Sequence, residues 1–190
     1  GMVFFRNVQF RWMPIQGDSR VTIALERPGA SADQGVYRDR IELQDVTPHF
    51  PMPDISGEAR FGRKWGYVEA AAILRRLKWS DNGTDQFDLS GDDWGWGVNL
   101  SSNLKVFKND VIKLQVVYGE GIQNYMNDAP EDVGAKPNPG NARTPFTGEA
   151  LPVLGNVAFY DSYWSDKFIS TFGYSFAPIE NRAGQAANAF

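Results

Sequence analysis

A period of two runs through almost the whole chain, and it is the feature that most limits what the chain can fold into. Side chains of an extended strand alternate between the two faces of a sheet, so apolar residues at every second position build one oily face and one polar face. In Phe4 to Trp12 one face carries Val8, Phe10 and Trp12, and the other Asn7, Gln9 and Arg11. Val21, Ile23 and Leu25 alternate with Arg20, Thr22, Ala24 and Glu26, and Ile41 and Leu43 with Arg40, Glu42 and Gln44. Ile55, Ala59 and Phe61 alternate with Asp54, Ser56, Glu58 and Arg60, and Trp94, Trp96, Val98 and Leu100 with Gly95, Gly97, Asn99 and Ser101. Ile112, Leu114, Val116 and Tyr118 form another such set, with Lys113 and Gln115 between them; Phe168, Phe172, Tyr174 and Phe176 form the last. The run 66–79 reads as a long strand despite Ala70-Ala71-Ala72, because Trp65 and Trp79 bracket it and no helix caps are present. A strand over 149–164 tolerates Pro152 near its start. The pattern predicts an all-β domain over residues 1–190, an antiparallel up-and-down meander of about eight to nine strands forming a β-barrel or part of one.

Alternation alone also fits a soluble β-sandwich or lipocalin-like barrel that binds a small ligand. Two features favour a wall between oil and water. Aromatics are 14% of the residues, yet mean hydropathy is -0.40, a combination suited to a barrel that is apolar outside and wet inside. Trp12, Trp65, Tyr67, Trp79, Trp94, Trp96, Tyr163, Trp164 and Tyr174 fall at or near strand ends, where amphipathic rings settle at a membrane–water interface. No window is long and apolar enough for a transmembrane helix, but barrel strands need only about 9–11 alternating residues. Connections in the second half alternate in length: 62–64, 105–110 and 165–166 are tight, while 80–93 and 120–148 are long and polar. In the first half 28–38 and 47–53 both read as long, which breaks the alternation.

The chain offers little to catalysis. It has one histidine and no cysteine, so a histidine-based metal cluster and a thiol nucleophile are both excluded. His49 sits in a Pro-His-Phe-Pro turn without a nucleophile motif, and Gly119–Gly121 lacks the Lys-Ser/Thr of a phosphate loop. No catalytic residue, cofactor or metal site is expected. A net charge of -4 argues against nucleic acid as a partner. Asp128, Glu131 and Asp132 do not match calcium-loop spacing, so 120–148 reads first as a solvated loop and second as a segment folded into the barrel.

The stretches VFFRNVQFRWMPIQGDSRVTIALERPGA (Val3–Ala30), GRKWGYVEAAAILRRLKW (Gly62–Trp79), WGVNLSSNLKVFKNDVIKLQVVYGEGIQNYMNDAP (Trp96–Pro130) and GEALPVLGNVAFYDSYWSDKF (Gly148–Phe168) resemble the DcaP-like outer-membrane porins of Gram-negative bacteria. The resemblance covers nearly the whole chain. It implies residence in the bacterial outer membrane among lipid and lipopolysaccharide, a larger trimeric barrel, and passive transport of small anionic solutes such as dicarboxylates. Relative to that family the chain lacks N-terminal strands and the last hairpins, so it reads as part of a porin. An isolated part is expected either to dimerise, closing its edges across chains, or to invert, enclosing Val8, Phe10, Ile112 and Leu114. If the polar face lines a channel, Arg11, Arg20, Arg40, Arg60 and Lys113 are its candidate anion path, since guanidinium forks grip carboxylates. Glu26, Glu42 and Glu58 share those faces and compete for the same cations.

Overall fold

The computed structural model describes residues 7–126 and 131–185. The Phe4 end of the first predicted strand, Asp128 and the Phe190 terminus lie outside them. Twelve strands follow in chain order: β1 (Gln9–Ile15), β2 (Arg20–Glu26), β3 (Ala32–Asp33), β4 (Val46–His49), β5 (Asp54–Arg63), β6 (Gly66–Asp81), β7 (Gly91–Val106), β8 (Asp110–Glu120), β9 (Val133–Pro137), β10 (Phe146–Ala150), β11 (Pro152–Ser165) and β12 (Phe168–Phe176). Eight of them form an antiparallel meander in the order β1-β2-β5-β6-β7-β8-β11-β12. β6 outruns β5, and β4 takes up its free edge by pairing Val46–His49 with Lys78–Asp81. β10, β9 and β3 make a separate three-stranded sheet. The all-β meander read from the periodicity is therefore the fold, but the sheet stays open: β1 and β12 lie at its two ends and do not pair with each other.

The alternation sets the two faces. Thr22, Glu58, Ala71, Asn99, Val117 and Gly155 follow one another across the ladder on one face. The neighbouring phase carries Ile23, Ala70, Ala72, Val98, Leu100, Val116 and Leu154. The sheet curls around its polar face, because Gln9 and Arg11 of the first strand and Ser175 and Phe176 of the last border a single cavity of about 800 Å³. The apolar face is left uncovered: Phe10 is 73% exposed, Leu100 57% and Phe172 63%. Val8, Phe10 and Leu114 are likewise exposed, which overturns the inverted arrangement expected of an isolated part of a barrel. The buried hydrophobic cluster, Leu77, Val133 and Ala150 with Ala30 and Trp79 against it, does not lie between sheet faces. It lies at one end, under the loops and the small sheet.

One expected strand does not form. Around Arg40–Gln44 the chain turns: Leu43 N–H donates to the Arg40 carbonyl and Gln44 N–H to the Ile41 carbonyl, closing a short 3-10 turn over Ile41–Leu43. Asp45 then adopts φ 62, a left-handed conformation that interrupts any extended run and that Asp tolerates better than most residues. This correction restores the loop pattern. Residues 27–53 are a single long connection between the paired ends Glu26 and Asp54. Connections 27–53, 82–90 and 121–151 thus gather at one end of the sheet, and the tight turns 16–19, 64–65, 107–109 and 166–167 at the other.

Candidate functional site

The polar trough is the feature around which the chemistry gathers. Near the tight turns its charges neutralise one another across strands. Arg20 on β2 pairs with Glu58 on β5 (2.5 Å) and Glu69 on β6 (3.2 Å). Lys113 on β8 pairs with Asp161 on β11 (2.5 Å), which also accepts from Thr171 on β12 (2.9 Å). Elsewhere in the trough Gln115 donates to Asn99 (3.1 Å), and Ser56 donates to the Glu26 carboxylate. Arg11 bonds Gln9 on its own strand (3.3 Å). Arg60 lies over the Tyr67 ring, 3.6 Å from its centroid, a cation–π contact, and its buried Nε has no hydrogen-bond partner among the described residues.

At the long-loop end a guanidinium does the organising. Arg75 on β6 is fully buried. Its Nε donates to Asp54 of β5 (2.9 Å), one Nη to Asp132 (2.9 Å) and the Gly121 carbonyl, and the other Nη to the Gly29 carbonyl. Its carbon lies 5.0 Å from the centre of the Tyr125 ring, whose hydroxyl donates to Asp54 (2.8 Å). Asp132 accepts further bonds from the backbone N–H of Ser31 and of Asn124, each 3.0 Å. The neighbouring strand β5 and two long connections therefore converge on Arg75. A buried charge persists only when its donors or acceptors are met in this way.

The convergence draws connection 121–151 into the trough. Ile122 and Gln123 are buried, and Ile122, Tyr125 and Met126 border the cavity. Glycines make the room: a Cβ at Gly97 would meet Ile122 Cδ1 at 2.5 Å, and one at Gly155 would meet the Met126 methyl at 2.7 Å. Of the two sequence readings of this connection, the folded-in segment fits residues 121–126, while residues 139–143 are exposed as a solvated loop would be. Asp132, read from sequence as part of a solvated loop, is a buried partner of Arg75 instead.

Of the residues predicted from sequence, the structure brings Arg11, Arg20, Arg60 and Lys113 onto the polar face. It does not bring Arg40 there. Arg40 leaves the sheet with the 3-10 turn, grips Glu42 with two bonds (2.6 and 3.1 Å) and lies 5.2 Å from the centre of the Phe146 ring. That grip holds the Glu42 carboxyl down to about 2. Among the aromatics, Trp12, Trp65, Trp94, Trp96, Tyr163, Trp164 and Tyr174 are exposed. Tyr67 and Trp79 are not part of that set: Tyr67 carries Arg60 on the polar face, and the Trp79 indole N–H donates to the Leu89 carbonyl (2.7 Å) beneath the loops.

No family model, curated protein or solved structure matches this chain. The site is thus known by its own geometry. Sequence reasoning missed Arg75 and Tyr125, although a signal for Arg75 was there: in Tyr67, Glu69, Ala71, Ile73, Arg75 it keeps the polar phase of β6, while Arg76 falls on the other. Among the described residues no cluster of His, Asp and Glu is placed to hold a metal ion.

Burial pushes the Asp132 carboxyl above its ordinary value of 3.8, against the opposing pull of Arg75 and the two N–H donors. Its proton is held more tightly with the loop docked than with the loop free. Docking is therefore favoured as pH falls through the raised value, and that advantage is absent at higher pH. The groups facing Asp132 are Arg75 from β6 and, through it, Asp54 from β5 and Tyr125.

Proposed function

We propose that this chain forms the wall of an outer-membrane diffusion channel of the porin kind, as its resemblance to DcaP-like porins implies, and that it passes small anionic solutes. The observation that carries the reading is the inverted polarity of the sheet: an exposed apolar face outside and a charged, hydrogen-bonded trough inside. In water such an apolar surface is a liability; against lipid it is what a barrel wall presents.

Dimensions support it. From Trp94 to Leu104 the outward residues of β7 are Trp94, Trp96, Val98, Leu100, Ser102 and Leu104, a stretch of roughly 33 Å at ~3.3 Å per residue. Tilted by ~45°, it spans about 23 Å, close to the ~25 Å apolar band of outer-membrane barrels. Charge returns where the band ends. Arg76 pairs with Asp92 and lies 4.7 Å from the Trp94 ring centre at the loop end, and Arg63 lies 3.8 Å from the Phe61 ring centre at the turn end. Short turns on one side and long loops on the other complete the pattern. The free edges of β1 and β12 need partners in lipid, where an unpaired backbone group is costly; further strands or other copies of the chain supply them.

Anion preference rests on Arg11 and Arg60, since Arg20 and Lys113 are held by carboxylates. In a planar bilayer under a potassium chloride gradient, the reversal potential is expected to favour chloride. Replacing either Arg11 or Arg60 by Ala lowers that preference roughly two- to fivefold, the worth of one partly screened charge. A channel that prefers potassium overturns the anion reading, and the absence of any conductance overturns the channel itself.

A further inference from the structure

We infer that Arg75 is a positioning residue that sets the size limit of the proposed channel, by holding the Ile122–Met126 segment across the trough. The inference rests on the channel reading and goes beyond it, because it assigns the width of the path to one buried side chain that never meets the solute.

The geometry is specific. Nothing in the 3-10 turn Gln123–Tyr125 caps itself through a side chain, so its place is set by what it meets. On the wall side it meets Gly97, Gly119 and Gly155, whose missing side chains leave a shallow seat for Ile122 and Met126. On the loop side it is fastened at Gly121 through the carbonyl bonded to Arg75, at Asn124 through Asp132, and at Tyr125 through Asp54. Asp54 and Asp132 are both paired directly to Arg75. The guanidinium also takes the Gly29 carbonyl, and the Asn124 side chain donates to that same carbonyl (3.0 Å). Loop 27–31 is thus pinned over the inward segment at the same point. Removal of the fork leaves two carboxylates facing each other in a buried site, and repulsion then drives the loop out toward water. A lysine does not replace it, since one ammonium cannot reach four acceptors in a plane. Side chains that line the trough below, such as Asn99 and Gln115, remain where they were.

The test uses the full chain in liposomes and planar bilayers, with variants Arg75→Gln and Tyr125→Phe, the latter removing only the hydroxyl bond to Asp54. Arg75→Gln is expected to raise single-channel conductance on the order of twofold, as a segment leaves the path, and to admit longer neutral oligosaccharides in liposome swelling. Tyr125→Phe moves both in the same direction by less. The rescue is a thiol lock. The chain has no cysteine, and a Cβ at Gly29 lies 3.3 Å from the Asn124 side-chain nitrogen. A Gly29→Cys/Asn124→Cys pair, joined by a short thiol cross-linker, is expected to restore the original size limit in the Arg75→Gln background. If Arg75→Gln does not fold, Tyr125→Phe with and without the lock decides the question. Conductance and size limit that stay fixed in folded variants, or that rise and ignore the lock, overturn the inference while leaving the channel in place. A wild-type chain that passes no ions overturns both.

Discussion

Replacing Leu100 by Arg is expected to cost about 2–4 kcal/mol of stability in a bilayer. The same change on a water-exposed face usually stays within about 0.5 kcal/mol. Leu100 stands on β7 opposite Ala70 and Val116, midway along the outward apolar stretch, and 57% of it is exposed. In a soluble protein a leucine this open is an ordinary surface residue, and an arginine in its place keeps its hydration. Against hydrocarbon the guanidinium must be desolvated or must drag water and headgroups toward it. The contrast makes this substitution more informative than any in the trough. Denaturant titration of the protein refolded into lipid vesicles reads the difference. Ser102→Arg, two residues nearer the tight turns, is expected to cost less, because the penalty falls toward the interface.

Replacing Arg75 by Met removes the other large contribution. The side chain volume is nearly kept, but Asp54 and Asp132 lose the cation between them. Breaking a buried ion pair by deleting one partner costs about 3–5 kcal/mol, most of it the penalty of the charge left behind. The triple change Arg75→Met with Asp54→Asn and Asp132→Asn is expected to recover part of that loss, since the uncompensated charges are gone, though the donors at Ser31 and Asn124 are then less well met. Hydrogen exchange separates the local effect from a global one: protection falls first at residues 122–126 and 131–133, while the β6–β7 ladder retains its own.

Periodicity carried the sheet because the strands of the meander have one exposed apolar face and one face toward the polar trough, and that contrast repeats along the chain. It failed at Ile41–Leu43 for a definite reason. Two apolar residues flanking one acid fit a strand and fit a 3-10 turn equally well over so short a window, and the deciding feature, the left-handed Asp45, depends on the backbone and not on polarity. The long connections of the first half were misread as two for the same cause. The site was legible where it follows strand phase: Arg11, Arg20, Arg60 and Lys113 keep the polar phase and share one face. Arg75 follows it too, but its importance comes from Gly29, Gly121 and Asp132, which lie 46, 46 and 57 positions away, and no local pattern reports such distances. Likewise the acids of the loop look solvated in sequence, because nothing nearby in the chain announces the guanidinium that receives Asp132.

Spin labels placed one at a time along β8, from Ile112 to Val117, test the oil-and-water division most directly. In lipid vesicles, collisions with dissolved oxygen are expected to dominate at 112, 114 and 116, and collisions with a water-soluble nickel chelate at 113, 115 and 117. A flat profile, or chelate access at every position, contradicts the assignment of the exposed apolar face to lipid.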